Sequence, residues 1–154
     1  MLKTSDDVLP LIARLTIALA IFPHGAQKLF GWFGGKGWGP TMEFFTEWGF
    51  PAVLVVALIL TESIGMLLLA LGFGGRIWAA LTAVVMGVAV WKANHYRYFF
   101  MNWYAERRGE GFEYHLLVLG LVAIVLIAGS GRWSIDRALT RRANLDRAVG
   151  GAQA

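Results

Sequence analysis

Four apolar runs, each close to the length of a bilayer crossing, fill most of this chain, and the first two carry charged side chains in their interiors. In hydrocarbon every backbone N–H and C=O must be satisfied within the protein, so only helices and closed β-barrels span it. Barrel strands alternate apolar and polar residues over about ten positions. A run such as AVLVVALILTESIGMLLLAL does not alternate. The chain is therefore read as all-α, a four-helix transmembrane bundle. The expected spans are about 8–30, 51–71, 76–94 and 112–128, in a single transmembrane domain covering 1–154. Ser134 stands where an N-cap belongs. It opens the tail, 132–154, as a short basic amphipathic helix lying on the membrane.

Composition agrees with membrane burial. Of the 154 residues, 57% are hydrophobic and 16% charged, where a soluble domain carries about 25% charged residues. Cysteine is absent, so thiol exchange and thiolate metal ligation would fall to a partner. The net charge of +4 gathers in the tail, as Arg132, Arg137, Arg141, Arg142 and Arg147. Beside a membrane helix such a cluster meets anionic lipid; nucleic acid is not an expected partner, because no groove-reading module is present. Asp6 and Asp7 precede the first run where a signal peptide would be basic, so this segment is expected to stay in the mature protein. Four crossings put both termini and the turn at Gly72, Gly74 and Gly75 on one side. That side is the more basic, which favours cytoplasmic termini. The loops GWFGGKGWGP and HYRYFFMNWYAERRGEG are aromatic. They suit either an interfacial belt or a lid over a site.

An ionisable side chain at membrane depth costs about 2.5–3.5 kcal/mol on insertion scales. It must be paired, hydrated or used. At about 100° per residue, Arg14, His24 and Lys28 fall within an arc of about 80°, a face expected to turn into the bundle. Pro23 predicts a local kink beside His24. Counting depth at 1.5 Å per residue puts Arg14 near the level of Glu62. Their expected relation is a buried structural charge pair; the alternative is that Glu62 handles protons. His24 and Lys28 fit either an interfacial pair reaching headgroups or donors to an anion or quinone carbonyl. His95, Asn102, Glu113 and His115 fall towards the same end as His24. Glu113 suits the first turn of its helix by its charge alone, or an orienting bond to a histidine. Three histidines near one face raise haem or metal ligation, but no HExxH spacing occurs and no metal site is expected. Phosphate-loop, dinucleotide and nucleophile-elbow motifs are missing from the sequence.

At these positions the chain resembles the DoxX family of small four-helix bacterial membrane proteins. The resemblance rests on Arg14, on His24-Gly25-Ala26-Gln27-Lys28, on Glu62 with Gly65, on GFEYHLL at Gly111–Leu117, and on GSGRWSIDRAL at Gly129–Leu139. It implies a multi-pass protein of the bacterial inner membrane. It also implies a link to quinone chemistry, since the family is named for a subunit associated with a terminal quinol oxidase and a thiosulfate:quinone oxidoreductase. Under that expectation the chain is a quinone-linked redox protein, or the membrane subunit of such a complex with a redox partner protein. Glu62 and His24 would be catalytic, and Lys28, His95, Asn102, Glu113 and His115 would bind the ligand. The competing expectations are a non-catalytic assembly subunit, or a small-molecule carrier; both allow a homo-oligomer.

Overall fold

The computed structural model describes residues 4–92, 97–104 and 110–151, the last six by their backbone alone. Among them there is no strand. Helix α1, Leu9–Phe30, opens with Pro10 in its first turn and stops at Gly31, whose left-handed φ of 76° closes it. Pro23 stays inside α1 without ending it. Helix α3, Ala52–Leu71, follows Pro51. Helix α4 is Gly75–Lys92, α5 is Glu113–Ala128 and α6 is Ile135–Gly151. The stretch after α1 holds a helix that its glycines and aromatics had concealed, α2, Trp38–Glu47.

Three of these, α1, α3 and α4, are long and apolar enough to cross a membrane. Helix α5 is apolar but has 16 residues, about 24 Å at 1.5 Å per residue, shorter than a hydrocarbon core of about 30 Å. Helix α1 packs against α5 and against the second half of α3, and α4 packs against α5 and α3. Their shared core includes Ile17, Ile21, Met66, Leu69, Met86 and Val122. Lipid tails are as apolar as these side chains, so helix association relies on close packing. Glycine supplies it. Gly25 of α1 lies directly on the Glu62 backbone of α3, and a Cβ at Gly65 would meet the Trp78 ring at 2.6 Å.

At the opposite end of α1 the chain is clasped together. The Arg14 side chain is 1% exposed. Its guanidinium donates to the carbonyls of Ala70 at 2.7 Å, Trp133 at 2.8 Å and Arg132 at 3.3 Å. Asp136, also buried, accepts from the Gly74 and Gly75 amides at 2.8 and 3.1 Å and from Ser130 Oγ at 2.6 Å. Its charge is the one that acts on Arg14. Gly72 and Gly74 have φ of 68° and 65°, and a side chain at Gly72 would strike Arg14 and Ser134. Ser134 Oγ caps α6 by accepting from the Arg137 amide at 3.2 Å.

The expected Arg14–Glu62 pair does not form. Helix α1 reaches the level of Glu62 at Gly25, eleven residues beyond Arg14, or about 16 Å along the axis. Arg14 instead lies level with Ala70, at the far end of α3. Counting depth from the ends of apolar runs assumed that the runs start and stop together, and they do not.

Candidate functional site

Glu62 sits where α3 widens. Residues Thr61–Gly65 form a single π turn inside the helix, the kind of local expansion that frees backbone bonding and re-aims side chains. Ser63 Oγ returns to the Ile59 carbonyl at 2.6 Å. Because Gly25 lets the two backbones touch, the Glu62 carboxylate lies within reach of Lys28, one helical turn further along α1. The two form an ion pair whose side chains are 20% and 7% exposed. Lys28 Nζ also donates to the His24 carbonyl at 3.3 Å. His24 stands at the protein surface, where it interacts electrostatically with both Lys28 and Glu62. The expectation that Arg14, His24 and Lys28 turn inward together thus fails at His24: only Arg14 is buried, and Lys28 is half-buried. On the facing helix, Tyr114 also feels the charge of Glu62, and its buried hydroxyl has no hydrogen-bond partner among the described residues.

The ion pair is the polar end of an apolar cavity of about 310 Å³ between α3 and α4. Phe45, Trp48 and Phe50 close its top, with ring centroids 5.9–6.1 Å apart. Lys92 reaches the same cavity, its ammonium 5.1 Å from the Phe50 centroid, an attractive cation–π distance. Leu54, Leu81 and Val84 line the cavity's flank and are 55%, 39% and 62% exposed. The opening therefore faces sideways, along the lipid-directed surface of α3 and α4. A second hollow of about 320 Å³ lies beyond Lys28, among Gln27, Gly35, Lys36 and Thr41. Lys28 and Phe45 line both.

Among the residues singled out from sequence, the structure brings together Glu62, Lys28 and His24. Arg14 belongs to the clasp at the other end. Glu113 receives the Met101 amide at 3.4 Å, and the Asn102 amide bonds Glu110 at 2.8 Å; these contacts hold the loop 97–104 on the start of α5. His115 is buried, with its ring edge-on to Tyr114 at 5.6 Å. His95 lies outside the described residues. Among the described residues no three His, Asp or Glu side chains gather as metal ligands would. Sequence reasoning missed Lys92, Tyr114 and the Phe45–Trp48–Phe50 roof. Lys92 had a readable signal, as a cation at the end of a span beside Trp91; Tyr114 had none beyond its place between Glu113 and His115.

Chemically the cavity offers aromatic faces that can stack on a flat group, ammonium groups that can donate hydrogen bonds, and a carboxylate that can take or give a proton.

A family model described as DoxX matches residues 9–95, a stretch that includes α1, the aromatic roof, Glu62 and α4. The inner membrane protein YqjF of Escherichia coli strain K12 is 28% identical over 142 residues, which cover 92% of this chain and 99% of that protein. No solved structure matches.

Proposed function

This chain belongs to the DoxX family, and from that premise we propose that it is a multi-pass inner-membrane protein that binds a quinone head group for an oxidoreductase complex. One observation carries this reading: a half-buried Lys28–Glu62 ion pair closes an aromatic-roofed cavity that opens towards lipid. At about 310 Å³ the cavity is at the lower end of ligand sites, which run from about 300 to 1,000 Å³. That suits one ring with its isoprenoid tail left in the bilayer.

In this reading Lys28, and Lys92 at the other end, donate to the two quinone oxygens. Glu62, a carboxylate in its ion pair with Lys28, relays to the reduced oxygens, one after the other, the two protons that quinol formation takes up. The hollow beyond Lys28 brings water to that proton site, while the aromatic roof keeps water off the ring. Reduction to quinol needs two electrons and two protons. With no cysteine in the chain, the electrons come from a redox partner protein, and this subunit supplies the binding site and the proton path. Helix α5 completes a four-helix bundle by thinning the bilayer or tilting little. The tail helix lies on the basic, cytoplasmic side.

The test is to purify the protein in mild detergent, extract its lipids, and titrate it with a short-chain quinone while following thermal unfolding. Co-purified quinone and a rise in melting temperature that Glu62→Gln and Lys28→Met each reduce are the expected results. A second reading is a non-catalytic assembly subunit. The clasp favours it, because Arg14, Ser130, Ser134 and Asp136 are all occupied in holding helices together. Under that reading no quinone co-purifies, no quinone raises the melting temperature, and Glu62→Gln lowers stability only.

A further inference from the structure

We propose that the cleft where α6 begins binds the phosphodiester of an anionic phospholipid. The cleft encloses about 310 Å³ and is lined by Asp6, Arg132, Trp133, Arg137, Ala138 and Arg141, with other residues. Three guanidinium groups meet there, opposed by one carboxylate. Asp6 already takes the place that a phosphate would. It pairs with Arg137 and lies 3.6 Å from Arg132, bridging two cations as phosphate oxygens do in arginine sites. Its side chain is 63% exposed, so a diffusible anion can displace it.

The level of the cleft is that of lipid headgroups. The start of α1, the turn from α3 to α4 and the end of α5 all come together here. Ser5 N–H donates to the Ala128 carbonyl at 2.9 Å, the Arg132 amide to Asp7 at 2.9 Å, and the Asp136 amide to Gly72 at 3.0 Å. The apolar helices therefore end in a common plane beside the arginines. Trp133 marks that plane. It holds a left-handed φ of 52°, which is unfavourable for a bulky residue, and it is kept there because Arg14 grips its carbonyl. The outcome is an indole 75% exposed beside the cleft, with the Arg132 guanidinium 5.6 Å from its ring. Tryptophan favours this zone of the bilayer. Ile135 and Leu139, 39% and 42% exposed, continue the apolar surface along α6 where acyl chains would lie. Lipid, rather than free phosphate, is the occupant that uses both halves of the site.

The test uses the whole protein in detergent micelles doped with phosphatidylglycerol or phosphatidylcholine at equal mole fraction. Bound lipid is counted by native mass spectrometry and stability by thermal unfolding; inorganic phosphate forms a third arm. Phosphatidylglycerol is expected to bind and to raise the melting temperature, with no rise from phosphatidylcholine or phosphate. Arg137→Gln with Arg141→Gln should weaken binding by about 30-fold, taking the usual contribution of each arginine at a charged surface. Asp6→Asn should strengthen it, since the competing carboxylate is gone. That opposite sign does not depend on the double variant folding. Equal stabilisation by both lipids, an equal effect of free phosphate, or Asp6→Asn binding no more tightly than the native chain would each overturn the proposal.

Discussion

A single glycine decides whether the polar site exists. Gly25 has no side chain, so the α1 backbone lies against the carbonyl of Glu62, and this contact puts Lys28 beside the Glu62 carboxylate. Gly25→Ala inserts a methyl group where backbone already stands. A flexible side chain could yield there, but a helix cannot, so α1 and α3 must part. The expected loss is about 1–3 kcal/mol, as for other overpacked sites, read as a lower melting temperature in detergent together with lost quinone protection. Gly87 is the control. It lies in α4 with nothing among the described residues within 4 Å of an added Cβ, so Gly87→Ala should be neutral or stabilise by up to about 1 kcal/mol. An equal loss at both positions would show that the close approach at Gly25 has no special weight. Sequence made Gly25 visible as a small residue beside His24, but nothing in one chain says which backbone it meets. That is a property of the pair of helices, and so is the choice of Lys28 over Arg14 as the partner of Glu62.

Between elements, the closing motif behaves as a clasp. Asp136 joins the first turn of α6 to the turn between α3 and α4 through two amides and Ser130, and its charge faces Arg14. Hydrogen bonds to a charged group are worth about 1.5–3 kcal/mol each, and buried donors left behind add to the loss. Asp136→Ala should therefore destabilise by at least about 3 kcal/mol. It should also release α6 first, seen as faster protease cleavage between residues 132 and 140 with the rest of the protein intact. Global unfolding without prior release of α6 would mean that the clasp is not a separate unit. Much at this scale was legible. Residues 51–71 were expected as a span and α3 runs Ala52–Leu71; residues 112–128 were expected as a fourth span, and the apolar helix there, α5, Glu113–Ala128, is shorter than the three long enough to cross a membrane. Apolar runs mark these helices because lipid and core demand the same residue types. Helix α2 was not legible, because Gly31, Gly34, Gly35, Gly37 and Gly39 read as punctuation and its aromatic residues suit a membrane interface equally well. The π turn at Thr61–Gly65 left no mark either, since one extra residue in a helical turn changes no composition.

For the whole molecule, the direction in which the cavity opens matters more than its volume. A site reached from water would open past the ends of the helices and admit polar molecules. This one is flanked by Leu54 on α3 and by Leu81 and Val84 on α4, residues whose exposed sides face hydrocarbon when α3 and α4 cross the membrane. A ligand dissolved in the bilayer would thus meet the opening by lateral diffusion, already concentrated and oriented by its tail, and would give up no water shell on entry. In the proposed reading the two charged ends, Lys92 and the Lys28–Glu62 pair, would then select for oxygens at the ring while the walls stayed indifferent to the tail. If this is how the site is filled, its mouth can be closed without touching its chemistry. Val84→Trp on the exposed flank should fill the opening and remove quinone protection against thermal unfolding, because an indole occupies space the ring needs. Stability without quinone should stay within about 0.5 kcal/mol of the native chain's, as for other surface substitutions. Thr41→Val, in the hollow beyond Lys28, should leave quinone binding as it was, because that hollow meets Lys28 from the other side. The reverse pattern, with Thr41→Val abolishing protection and Val84→Trp without effect, would place ligand entry on the watery side and make the lipid-facing cavity a packing defect between two helices.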